Sequence, residues 1–159
     1  MTAKAKVGLT QRVSEKLEDL IVSRGWAVMT VPGKPGYSYS VGLVDKGLPE
    51  IIVFGVGGEE GPKIIGDCAR ALLERGLLNV NEPLDGLIDD FKAVLRDLTS
   101  AEMQQYLKAA WARSGGTMDA LQLVWPDPSG KFPWEAGFER KFLTYQPLLG
   151  LHAIGAAVG

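Results

Sequence analysis

Cysteine and histidine are almost missing from this chain: its 159 residues hold one of each, Cys68 and His152. A single cysteine excludes an internal disulfide. One histidine and one cysteine cannot furnish a tetrahedral zinc site within a monomer. A Ser-His-Asp or Cys-His engine needs an imidazole held on rigid scaffold by a third group, whereas His152 stands in an apolar tail. Hard-cation sites lack their signature too, since no Asp-x-Asp-x-Asp-Gly loop occurs. Basic clusters are also missing. The longest run of Lys or Arg is the pair Arg140-Lys141, and the formal charge is −2, which argues against a nucleic-acid partner. No apolar run is long enough for a membrane: residues 148–159 are rich in Gly and Ala and fall short of the about 20 residues that span a bilayer. Residues 1–10 carry lysines without the apolar core of a secretory signal. The expectation is a cytoplasmic protein with no metal site, no membrane and no nucleic acid.

What is present is ordinary globular material. Hydrophobic residues make up 46% and charged residues 23%, as in a typical soluble domain. A chain of this length buries roughly 68–70% of the surface its unfolded state exposes, so one domain over residues 1–159 needs no staple. Val13, Leu17, Leu20 and Ile21 form one apolar stripe and predict a helix over 10–24, closed by Gly25. Residues 26–31 read as a strand, and 32–36, with two prolines and two glycines, as a loop. Tyr37-Ser38-Tyr39-Ser40-Val41-Gly42-Leu43 has the period of a half-buried strand, and Ile51-Ile52-Val53-Phe54-Gly55-Val56 reads as a strand buried on both faces. A second helix spans 62–75, with Cys68 on its apolar face as a structural thiol. Residues 79–90 read as acidic turn, and 91–96 as a strand. Thr99-Ser100-Ala101-Glu102 is a capping-box pattern opening a helix to about residue 113. Residues 121–125 form another strand, and 141–149 an edge strand stopped by Pro147. Irregular interleaving of the two kinds of element favours α+β: a mixed, largely antiparallel sheet packed against about three helices.

Three sets of residues are candidates for chemistry. Gly55, Gly57 and Gly61 lie between a strand and a helix, where a phosphate loop would sit, but Glu59 and Glu60 place negative charge where the phosphate would land. Glu50 opens a strand and Asp127 follows another; if those ends meet, the two acids flank a pocket for hydrolysis. The alternative for Glu50 is a bond to a nearby backbone amide, and for Asp127 turn chemistry. Finally, Tyr37, Tyr39, Trp125, Phe132 and Trp134 lie on or beside strand ends and line an apolar groove, with Gln122 and Gln146 as polar contacts. Core and rim packing would explain the same aromatics.

The blocks Gly25-Trp26, Tyr37 to Leu43, Leu48 to Gly55, Leu121 to Asp127, Gly130 to Trp134 and Gln146 to Leu149 together resemble the bacterial domain-of-unknown-function 4262 family, over about residues 25–149. Ser40 stands where that family usually has Thr, and Gly57-Gly58 is not part of its pattern. The resemblance implies no activity. The leading expectation is a domain that binds a small molecule or a protein partner without chemistry of its own. Its groove holds Tyr37, Tyr39, Ser40, Glu50, Gln122, Trp125, Asp127, Trp134 and Gln146. A flavin enzyme related to the split-barrel reductases is a second reading, by fold analogy alone, and the paired-carboxylate hydrolase is a third. The apolar residues 150–159 are expected to pack on their own domain or on a second copy of the chain.

Overall fold

The computed structural model describes residues 3–76 and 78–150, with side chains from residue 11 onward. Six strands form one mixed sheet: β1 (Ala27–Val31), β2 (Tyr37–Val41), β3 (Glu50–Phe54), β4 (Pro83–Ile88), β5 (Phe91–Asp97) and β6 (Ala120–Val124). Their spatial order is β1-β2-β3-β6-β5-β4. Every neighbouring pair is antiparallel except the central one, β3 with β6, where Glu50 lies against Ala120 and Ile52 against Gln122. Among the described residues four helices accompany the sheet: α1 (Ala3–Arg24), α2 (Glu60–Arg75), α3 (Ser100–Tyr106) and α4 (Lys108–Ser114). The fold is α+β, as the interleaving predicts. None of the described helices is long and apolar enough to cross a membrane.

The alternation of β3 and β6 sorts two cores. On one face α2 buries Ile64, Ile65, Cys68 and Leu72 in a cluster with Ile51, Val53, Leu121 and Leu123. Cys68 has no exposure there, and burial first, then the charge of Asp67, pushes its thiol up to about 12, so it is a packing residue. On the other face Tyr39, Val41, Ile52 and Phe54 cluster with Ile21 of α1 and with Met103, Leu107 and Ala110 of α3 and α4. A guanidinium ties this layer together. Arg113 of α4 donates to Glu18 of α1 at 2.6 Å and to Asp45 at 2.7 Å, and both acids raise its pKa.

Several elements depart from the sequence reading, each for an identifiable reason. Strand β2 is buried on both faces. Its serines do not face water; Ser38 and Ser40 have no exposure, Ser38 being covered by α2 and Ser40 enclosed with Glu50 and Ile51. A Cβ added at Gly61 in the first turn of α2 would stand 2.5 Å from Ser38 Oγ. Small residues on both elements are therefore what allows the close approach. Gly61→Ala is expected to cost about 1–3 kcal/mol of stability through overpacking. Urea denaturation checks this, and the double variant with Ser38→Ala should recover part of the loss.

The helix opened by Thr99 is two short helices. The capping box forms as expected, with Glu102 N donating to Thr99 Oγ1 at 3.2 Å and Thr99 N to Glu102 Oε1 at 2.9 Å. Leu107, at φ −99° and ψ 52°, then breaks the helix, and the Ala109 N–H donates to the Tyr39 hydroxyl at 3.1 Å. The sheet thus supplies a partner to the first turn of α4. Residues 83–88 are a strand rather than turn, joined to β5 by the two-residue turn Asp89-Asp90, with Asp90 at φ 67°. The predicted edge strand over 141–149 is absent. Residues Arg140–Thr144 form a 3₁₀ turn, and the chain beyond it runs irregularly across the ends of β3 and β6.

Candidate functional site

Glu50 sits at the start of β3 with no exposure, and its carboxylate is surrounded by donors. Ser40 Oγ donates to Oε1 at 2.7 Å, and the backbone N–H groups of Gly42, Leu43 and Val44 donate at 2.9, 3.2 and 3.4 Å. Those amides open the 3₁₀ turn Leu43–Lys46, and Gly42 reaches them at φ 108°. Ser40 Oγ in turn accepts the Ile51 N–H at 2.9 Å. Glu50 is thus the cap of a turn with unpartnered amides of its own. Burial raises its pKa, and the hydroxyl and amide donors offset part of that rise.

The two glutamines do the work of a strand. Gln146 Oε1 accepts the Trp125 N–H at 2.8 Å, and its Nε2 donates to the Trp125 carbonyl at 2.8 Å. Gln122 donates to the Pro147 carbonyl and accepts the Leu149 N–H, both at 2.8 Å. Each side-chain amide copies the donor-acceptor pair of a peptide, so residues 146–149 are held to β6 without being a strand. Glu102 completes the fastening by accepting the Gly150 N–H at 3.0 Å. The segment passes so close to β3 that a Cβ at Gly55 would lie 2.6 Å from the Tyr145 carbonyl oxygen. Trp125 closes the same end of the sheet, its Nε1 donating to the Phe54 carbonyl at 2.8 Å.

Asp127 organises the loop that follows β6. Its Oδ1 accepts Ser129 N, Ser129 Oγ and Lys131 N at 3.0, 2.7 and 3.0 Å, and its Oδ2 accepts Glu139 N at 3.0 Å. Burial works against its charge, but these donors prevail and bring its pKa to about 2. The sign of the pH effect follows. Stability from this shift is complete above the ordinary value of 3.8 and is lost as pH falls toward 2. Asp127→Asn is expected to abolish that part of the acid limb of the stability curve, read by circular dichroism across pH 2–5.

Pinned at residues 129, 131 and 139, the loop presents Phe132 and Trp134, stacked at 5.2 Å and 4°. Arg96 of β5 lies 5.4 Å from the Trp134 ring centroid, a cation–π distance. Between this pair and the β4–β5 hairpin is a cleft of about 590 Å³. Its walls include Pro83, Phe91, Pro126 and Trp134, and Asp90, Lys92 and Glu135 supply charge.

The residues expected to form one groove are therefore distributed. Ser40 and Glu50 meet at the start of β3; Gln122, Trp125 and Gln146 meet along β6; Asp127 and Trp134 belong to the loop beyond it. Tyr39, Ser40, Glu50, Gln122, Asp127 and Gln146 are buried, and their polar atoms are satisfied within the chain. Tyr37 is half-buried in an aromatic group with Phe54 at 5.2 Å and Tyr106 at 5.6 Å. Burial, then Tyr106, raises its pKa. Of the nine, Trp134 lines the cleft.

The two acids do not meet. Glu50 is level with Ala120 at the start of β6, and Asp127 follows its far end. At about 3.3 Å of rise per residue, β6 alone separates them by roughly 13 Å, beyond the spacing of paired catalytic carboxylates. The sheet is open, with β1 and β4 as its edges, so the analogy to a closed split barrel fails. Gly61 serves helix packing against Ser38 rather than a phosphate. His152 and residues 151–159 lie outside the described residues. Sequence reasoning missed Pro83, Asp90, Phe91, Lys92 and Glu135. The two acids between Ile88 and Phe91 were the available signal for the hairpin that carries most of them.

These features define an open, helix-flanked mixed-sheet domain whose charged buried residues are spent on fixing loops. The chain belongs to the family described as domain of unknown function (DUF4262), which matches residues 20–139. Comparison with curated proteins and with solved structures finds no match.

Proposed function

We propose that this protein binds a small, flat molecule in the cleft between the β4–β5 hairpin and the 127–139 loop, without chemistry of its own. The observation that carries this reading is the aromatic wall of Phe132 and Trp134, held in place by the buried Asp127 carboxylate. A loop fixed by a fully bonded, buried carboxylate loses little further entropy when a ligand arrives. The cleft's about 590 Å³ lies within the range of small-molecule sites. Aromatic and proline walls favour a planar apolar body. Asp90 and Lys92 on the hairpin side, with Glu135 on the loop side, favour a ligand with both an acceptor and a donor group at its rim.

Native mass spectrometry of freshly purified protein, with an absorption spectrum of the same sample, is the direct test. A bound mass that disappears in Phe91→Ala supports the reading. Phe91 is 41% exposed, so this variant should keep the parent's melting temperature and separate lost binding from lost folding. A bare polypeptide, together with no change in tryptophan emission or in ligand-observed resonances across a library of planar fragments, would remove the proposal.

A further inference from the structure

The two edges of the sheet are built differently. Strand β4 is a poor template for another strand: Pro83 lacks an N–H, Gly86 at φ 83° interrupts the register, and Asp85, Asp89 and Asp90 add charge. These are devices that block edge-to-edge pairing. Strand β1 has none of them. Ala27-Val28-Met29-Thr30-Val31 has no proline, glycine or charge, and its register with β2 is unbroken over five residues. Among the described residues, no backbone hydrogen bond joins β1 to anything but β2. The outward amides and carbonyls of β1 therefore have no backbone partner among the described residues, with Thr30 exposed, Val28, Met29 and Val31 half-buried and Ala27 buried.

The surroundings of this edge carry positive charge. Where β1 begins, α1, β1 and α2 enclose a cleft of about 500 Å³ lined by Arg24, Trp26, Val28, Lys63 and Arg70, among others. Lys63 and Arg70 share Asp67, and Lys63 also reaches Asp89. Arg24 has no carboxylate partner among the described residues, and Lys46, beside Asp45, lays its side chain against Gly25 just before the strand. Lys34 follows the other end of β1.

We infer that β1 is a docking edge for an extended peptide segment of another protein, which adds a seventh strand and seats an acidic side chain or terminal carboxylate by Arg24 and Trp26. Main-chain hydrogen bonds to β1 supply affinity, and the cationic cleft supplies selectivity, as in other strand-addition sites. A second copy of this chain fits less well. Antiparallel self-pairing about Met29 would bring the Arg24 end of one copy toward the Lys34 end of the other, and like charges brought together oppose association.

The test uses the full chain, labelled with ¹⁵N, and two heptapeptides of alternating valine and threonine, one ending in two glutamates and one in two lysines. The acidic peptide is expected to raise exchange protection at least about tenfold at alternate amides of residues 27–31. The basic peptide should bind at least about fivefold more weakly. Arg24→Glu, an exposed change that leaves the core untouched, should erase that preference and leave the cleft beside Trp134 unaffected. Perturbation without protection in β1, equal binding of the two peptides, or a β1-mediated dimer of the free protein in light scattering would overturn the inference.

Discussion

Glu50→Ala is expected to lose about 3–5 kcal/mol of stability, read as a lower urea midpoint. The variant removes an acceptor that takes four hydrogen bonds. It leaves the amides of Gly42 and Leu43 and the Ser40 hydroxyl buried, with Val44 part-buried behind them. A buried donor left without a partner costs about 1–3 kcal/mol, and the turn can relax enough to hydrate some of them. Glu50→Gln tests the assignment more finely. Its amide oxygen can still accept from Ser40 and Leu43, but its NH₂ faces the N–H groups of Gly42 and Val44, donor against donor. Its cost should fall between those of the parent and the alanine variant. The two proteins should also differ in pH dependence. Burial holds the Glu50 pKa above 4.5. The stability linked to this shift is present below 4.5 and is lost as pH rises through the folded-state pKa. Glutamine has no such titration, so the gap between parent and Glu50→Gln should narrow as pH rises through that range. A gap that widens would show the carboxylate to be preferentially ionised in the fold.

Gln146→Leu is expected to cost roughly 2–4 kcal/mol, since the Trp125 N–H and carbonyl lose the side chain that partners both. For a chain of this size that corresponds to a fall of roughly 5–15 °C in melting temperature. The loss should be local in origin. Released from β6, the 3₁₀ turn Arg140–Thr144 should open, and trypsin should cut at Arg140 and Lys141 well before the core. Gln122→Leu should expose the same sites through Pro147 and Leu149. Because both variants free one segment, the double variant should cost clearly less than the sum of the two. Full additivity would mean that the glutamines hold independent parts of the chain.

The legible parts of the fold were those governed by local rules. The apolar run 51–54, the capping box at Thr99 and Glu102, the α2 stripe and the glycine after α1 each formed as local pattern dictates. What escaped was set by tertiary partners. Nothing local to Leu107 announces a helix break, because the partner that serves α4 is the Tyr39 hydroxyl, on a strand far back in the chain. The serines of β2 read as a wet face because alternation reports polarity, and the glycine that lets α2 cover Ser38 lies in another element. For Glu50 and Asp127 the bland alternatives, a backbone bond and a turn, are what the structure contains. Gln122 and Gln146 were singled out as polar groups at the right strand, but a side-chain amide that replaces a peptide leaves no trace in sequence pattern. The cleft was hardest to foresee, since it needs β4 and β5 beside the loop after β6. Among the aromatics named from sequence, Phe132 and Trp134 are the ones that line it.

The parallel contact at the centre of the sheet bears on how this chain is made. Strand β3 cannot complete its pairing until β6 exists, about seventy residues later. The meander β1-β2-β3 needs only its own hairpin turns and can assemble as soon as it leaves the ribosome. For the time it takes to synthesise the rest, Ile51, Ile52, Val53 and Phe54 line a bare strand edge. That nascent edge is more apolar than either edge of the finished sheet, so the interval before β6 arrives is when this protein is most exposed to misassociation. A chaperone-poor translation system should therefore yield more aggregate from chains truncated before residue 120 than from the full sequence.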